Sequence, residues 1–241
     1  MLDAAQSVRH RVLCGHRDVP EPVRQGENVN DQRESTALLG GAVDRAAAEL
    51  AAGRAVVVHG CSDEGGIVFA AARADVELTA FAVRHSSGFL CVALSGERCD
   101  ELVLPPMSPK VERQGATACV TVDASAGVST GISASDRART ARLLAAPHAE
   151  PADFTRPGHV VPVAIAGHRG DSLAEVAFDL VGLAGLTPAA VYAHLVSPAD
   201  PTRMATTDEL TAFAVGERLA AVPASAVTAR RSARWDGPVA G

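Results

Sequence analysis

The stretch GVSTGISASDRARTARLLAAP, residues 127–147, passes from a turn rich in glycine and hydroxyls into a helix. Ser133 stands where an N-cap accepts a backbone N–H, Asp136 three residues later completes the pattern of a capping box, and Pro147 closes the segment. The spacing predicts a helix over 133–147. Just ahead of it, Ser129, Thr130 and Gly131 approach the unpaired N–H groups and positive dipole end of that helix, where an anion such as phosphate is favoured. An ordinary capped helix would use the same residues.

Helical and strand patterns alternate on both sides of this stretch. Upstream, Leu38, Leu39, Val43, Ala46, Ala47 and Leu50 recur at helical spacing, Gly53 supplies a stop, and AVVV (55–58) reads as a buried strand. VVHGCSDEGGIVFA (57–70) then reads as two strands joined by a loop. A helix over 75–85, a strand at FLCVAL (89–94), a short helix near 97–103 and a strand at ACVTVDA (118–124) follow. Downstream come a strand at VVPVAI (160–165), a helix over 172–184, a strand at VYAHLV (191–196) and a helix over 207–220. The alternation predicts a mixed α/β arrangement in one domain, residues 35–231. Residues 1–34, polar and without periodicity, read as an extension, and residues 232–241 as a tail, with the chain loosening from Arg230.

The 241 residues are 47% hydrophobic but only 3% aromatic, so the core must be built from Ala, Val and Leu. A formal net charge of −6, with the basic residues scattered, argues against nucleic acid or an anionic membrane as partner and leaves small molecules or proteins. Five cysteines without a CxxC pair signal neither a disulfide framework nor a zinc knuckle, and fit a reducing cytoplasm. Neither a signal peptide nor a membrane-spanning run is evident.

Two further segments carry chemistry. RPGHVVPV (156–163) sets Arg156 and His159 on a turn entering a strand, suited to phosphate contact and proton transfer, or to a structural histidine alone. RHSSGFLC (84–91) joins Arg84 and His85 to a glycine turn and to Cys91, a nucleophile or an inert core thiol.

Taken in order, these segments resemble the 3,4-dihydroxy-2-butanone 4-phosphate synthase family, over residues 37–231. RHSSGFLC matches its RHGSG motif and following cysteine, GVSTGISASDR its GVTTGxSAADR, RPGHVVP its RPGHVFP, and FDLVGLAGLTPAAV (178–191) its IDLxxLAGxxPAGV. The resemblance implies an α+β fold, a mixed sheet with surrounding helices, and a homodimer. It also implies conversion of ribulose 5-phosphate to the butanone phosphate and formate with magnesium.

Three segments depart from the family pattern. HGCSDEGG (59–66) replaces the acidic loop DDEDRENEGD, keeping Asp63 and Glu64 but placing Gly66 at its closing aspartate; RGDSLAEV (169–176) replaces RGGHTEA, with Leu173 at the histidine; and His194 stands at the glutamate of VLCEL. The expectation drawn from these departures is a metal-independent lyase, dehydratase or isomerase acting on a sugar-phosphate-like substrate. His159, His194, Asp63, Glu64 and Cys91 are its catalytic candidates, and Arg84, His85, Ser129, Thr130, Ser133, Asp136 and Arg156 its phosphate contacts, with no metal or cofactor. Three alternatives stand beside it: a divalent ion, magnesium or zinc, the latter held by His59, Cys61, Asp63, Glu64 and His194; a non-catalytic binding or partner subunit; and a working synthase serving riboflavin biosynthesis.

Overall fold

The computed structural model of the chain describes residues 29–62, 64–108, 115–166 and 170–235. Helix α1 (Val29–Ala51) starts inside the segment read as an extension and ends at Gly53, whose φ of 77° is open to glycine at little cost. Strands β1 (Val56–Cys61) and β2 (Glu64–Ala70) form an antiparallel hairpin. β1 thus runs on to Cys61 and β2 starts at Glu64, inside the stretch read as a loop, and Ser62 donates its N–H to the Asp171 carbonyl at 3.1 Å.

Helix α2 (Val76–His85) is capped by Asp75, whose carboxylate accepts the Leu78 N–H at 2.7 Å. Strand β3 (Cys91–Ser95) and helix α3 (Gly96–Glu101) follow. The strand predicted over 118–124 is broken into β4 (Gly115–Ala118) and β5 (Val122–Ala124). Between them the Cys119 N–H still goes to Pro162 of β6, whereas the Val120 N–H goes to the Pro105 carbonyl, so the ladder with β6 is interrupted there.

Helix α4 (Ala134–Ala145) begins at the predicted Ser133 cap, which accepts the Asp136 N–H at 3.0 Å. The Asp136 carboxylate does not return to the cap as a capping box requires, because it is engaged in the preceding turn. Strand β6 (Phe154–Ala166) is thirteen residues long and starts well before the predicted 160. Helix α5 (Leu173–Leu183), with a full Ser172–Glu175 capping box, leads to β7 (Ala189–His194), α6 (Thr207–Gly216), β8 (Ala220–Pro223) and α7 (Ala224–Trp235). The last two occupy a region the sequence pattern left as the end of a helix and a loose tail.

The described strands make one mixed sheet in the order β4-β6-β3-β7-β2-β1-β8, with β5 paired to β6 off that path. β3 runs parallel to β6 and β1 parallel to β8; the other pairs are antiparallel. Consecutive residues of β1, β2 and β7 are buried without alternation, and since neighbours along a strand face opposite sides, both faces of the sheet centre are covered. Helices α1, α5 and α7 pack together as one group of cover and α2 with α4 as another. Helix α5 is the most deeply set, with nine of its eleven residues buried, as its near-continuous apolar run demands.

Candidate active site

The topology gathers the candidate residues at one end of the sheet. β1 ends there with His59 and Cys61, β2 starts with Glu64, β3 starts with Cys91, β6 carries His159 near its start, and β7 ends at His194. Cys91 stands opposite both Tyr192 and Val161, and His194 opposite Gly66. The Tyr192 and His194 rings meet edge to face with centroids 5.7 Å apart.

His159 has the most developed surroundings. Its Nδ1 lies 2.7 Å from Oδ2 of Asp123, and its backbone N–H donates to Oδ1 of the same carboxylate at 2.9 Å. Asp123 is buried on β5, while the imidazole is 41% exposed, so one edge of the ring is held and the other is open. Asp123 was missed in the sequence reading. The available signal was a lone carboxylate in the apolar run VTVDA, since a buried acid needs partners.

The glycine and hydroxyl turn is organised by its own acid. Oδ2 of Asp136 accepts the Ser129 hydroxyl at 2.8 Å and the N–H groups of Ser129 and Gly131 at 3.1 Å each. The Ser129 hydroxyl, then the N–H groups, hold this carboxyl below its ordinary pKa. Ser129, Ser133 and Asp136 therefore spend these groups on shaping the turn, and Thr130 is exposed beside them.

The other phosphate candidates separate. Arg156 donates to the carbonyls of Pro151, Phe154 and Leu102 at 2.7–3.1 Å and braces the entry to β6. His85 stacks with Phe81 and Phe213, at centroid distances of 4.6 and 5.4 Å, and Arg84 next to it is exposed.

Cys91 is 4% exposed, and burial pushes its thiol up to about 11, against a smaller opposing hydrogen bond with Tyr192. It is protonated near neutrality, which suits packing rather than attack. His59 is half-buried; desolvation lowers its pKa, and its Nδ1 finds no hydrogen-bond partner among the described residues. Glu64 is exposed, with φ at 83°. Asp63 lies outside the described residues. Among the described residues, no three His, Cys, Asp or Glu side chains converge as a metal group, so the mixed zinc set is not assembled by them.

Leu173 is fully buried at the start of α5. At Gly66 a Cβ atom would fall 2.2 Å from the Ala193 carbonyl oxygen, so β7 occupies the space a side chain would need.

The sequence profile of the 3,4-dihydroxy-2-butanone 4-phosphate synthases matches residues 44–229. The chain is 49% identical over 189 residues to the riboflavin biosynthesis protein RibBA of Rhodococcus erythropolis, covering 75% of this chain and 44% of that protein. It is 50% identical over 187 residues to the RibBA of Mycolicibacterium gilvum, with the same coverage. The chain thus spans less than half the length of these relatives. Among solved structures, the synthase of Candida albicans superposes with a TM-score of 0.70 at 35% identity, over 78% of this chain and 96% of that one. A synthase in complex with two magnesium ions gives 0.69 at 34% identity, over 78% and 95%.

These findings correct two expectations. Relatives at about 49% identity that carry a riboflavin biosynthesis name overturn the reading of a metal-independent enzyme diverged from the family reaction. A neighbour holding two magnesium ions overturns the expectation of no cofactor. The departures at Gly66, Leu173 and His194 are local, whereas the similarity to the family extends over residues 44–229. By profile, relatives and superposition, the chain belongs to the 3,4-dihydroxy-2-butanone 4-phosphate synthase family.

Proposed function

We propose that the chain performs the reaction its family is named for, converting ribulose 5-phosphate to 3,4-dihydroxy-2-butanone 4-phosphate and formate in riboflavin biosynthesis. The carrying observation is the half-exposed His159 imidazole, anchored at the sheet end of a domain about 49% identical to its RibBA relatives. The reaction needs a proton removed beside the substrate carbonyl to form an enediol, and protons returned during dehydration and rearrangement. His159 is the group for those transfers, because an imidazole both accepts and donates protons near neutral pH. His194 lies at the same end of the sheet and serves as the second polar group facing the substrate. The exposed Thr130 is the phosphate contact this reading retains, while Ser129, Ser133 and Asp136 fix the turn.

Magnesium commonly keeps several waters and binds through one or two carboxylates together with substrate oxygens. Glu64, exposed at the start of β2, fits that role, with Asp63 beside it in sequence. Gly66 and Leu173 offer no donor, so Glu64 and Asp63 would be the residues that hold the ion. Such an ion supplies stabilisation of charge developing on the substrate oxygens. The same reading takes the protein as a cytoplasmic homodimer with a small-molecule substrate.

The test is a carbon-13 NMR time course on uniformly labelled ribulose 5-phosphate, with magnesium and with chelator, for the native protein and His159→Ala. Formate and a four-carbon phosphate formed only with magnesium, and lost in His159→Ala, support the proposal. An unchanged spectrum for the native protein with magnesium overturns it.

A further inference from the structure

We infer that Asp123 is a positioning residue for His159, fixing the ring so that Nδ1–H donates to the carboxylate and Nε2 is the nitrogen that exchanges protons with substrate. This rests on the proposed reaction for its catalytic part only. The geometry stands by itself: one carboxylate grips His159 twice, through the ring at 2.7 Å and through the backbone N–H at 2.9 Å. A carboxylate can only accept, so a neutral ring facing it at that distance carries its proton on Nδ1.

The backbone approaches the pair closely on two sides. Gly131, at φ 83°, passes so close that a Cβ there would lie 2.0 Å from Oδ2 of Asp123 and 2.8 Å from Nδ1 of His159. On the other side a Cβ at Gly158 would lie 2.2 Å from the Asp123 backbone nitrogen. The Gly158 N–H is tied to the Thr121 hydroxyl at 3.1 Å, so strand β5 and the turn entering β6 are clamped together. Arg137, 7% exposed on α4, donates to the Gly88 carbonyl at 2.8 Å and ties that helix to the turn ahead of β3.

Replacing Asp123 by Asn keeps the shape and lets the amide oxygen still accept the His159 N–H. Its NH₂ then faces Nδ1, which must become an acceptor, and the proton moves to Nε2. The comparable carboxylate-to-amide change in a serine protease triad costs about 10⁴ in kcat by imposing the wrong tautomer.

The experiment has two arms. In the first, nitrogen-15 and carbon-bound proton correlation spectra of the histidine rings are recorded for the substrate-free native protein at about pH 9, above the ordinary histidine range, with His159→Ala identifying the signal. A single Nδ1–H form for His159 is expected, and an Nε2–H form or a mixture overturns the inference. In the second, Asp123→Asn is compared with the native enzyme: kcat is expected to fall about 10²- to 10⁴-fold while KM stays within about threefold, with the ring in the Nε2–H form. An unchanged kcat, or a loss confined to KM, overturns it. If the native protein leaves ribulose 5-phosphate untouched, the proposed reaction fails while the first arm still decides the tautomer, and that arm requires no variant to fold with Asp123 replaced.

Discussion

Gly66→Asp, which writes back the residue the family motif carries at this position, is predicted to damage the protein rather than restore anything. The Cβ would stand 2.2 Å from the Ala193 carbonyl oxygen and 2.9 Å from the Ala193 carbonyl carbon and the His194 Cα, all backbone. An ordinary contact begins at 3.4 Å, so β2 and β7 would have to separate by about 1.2 Å at the Gly66–His194 pair. That takes ladder bonds of about 2.9 Å past the range in which they hold. Two such bonds at about 1 kcal/mol each, with an overpacking cost of about 1–3 kcal/mol, give a loss of about 4 kcal/mol. For a domain of this size each kcal/mol moves Tm by about 2–4 °C, so calorimetry should show a fall on the order of 10 °C. Gly66→Ala should lose most of the same amount, since the Cβ is the offending atom. Gly41→Ala in α1, where a Cβ meets nothing within 4 Å, should be neutral or stabilise by about 0.5–1 kcal/mol. A Tm for Gly66→Asp within about 1 °C of native would refute the steric reasoning, as would a loss in Gly41→Ala as large as in Gly66→Ala.

Glu209 is held down to about 2 from 4.5 by Arg203, the Thr206 N–H and the Ser197 hydroxyl, so its contribution is full above pH 4.5 and disappears as pH falls through about 2. Urea unfolding should therefore find Glu209→Gln less stable than native near neutrality, the gap closing as the buffer is taken below pH 4.5; a gap independent of pH would contradict this assignment. Cys91, buried with its thiol at about 11, should resist alkylation of the native protein at pH 8 and react once urea unfolds the chain. Mass spectrometry showing Cys91 modified before unfolding would mean that the start of β3 opens readily.

Much of the architecture was legible because apolar runs and caps are local. Ser133 and Gly53 mark helix ends as read, and AVVV is a strand for the expected reason that it is buried on both faces. What escaped depends on contacts distant in sequence. β8 is four residues, too short to show a period, and becomes a strand only by lying parallel to β1. The strand at 118–124 breaks because the Val120 N–H leaves the β6 ladder for the Pro105 carbonyl, while Cys119 still donates to Pro162 of β6. In the site, His159 was legible from its turn, whereas its partner Asp123 is 36 positions away and is brought to it by the β5–β6 pairing. Arg156 shows the reverse error: beside the histidine it suggests phosphate, but three carbonyls account for its guanidinium.

The parallel pairing of β1 with β8 also sets a schedule for synthesis. The fully buried valines of β1 leave the ribosome about 160 residues before Ala220–Pro223 can lie against them, an interval on the order of ten to thirty seconds at ordinary elongation rates. Until then the outer edge of β1 carries unpaired amide groups on an apolar strand, the kind of edge that recruits other chains. The nascent chain thus depends on the arrival of β8 to close that edge. Expression yield should respond more to crowding of unfinished chains, and to chaperones that shield them, than to the stability of the finished fold.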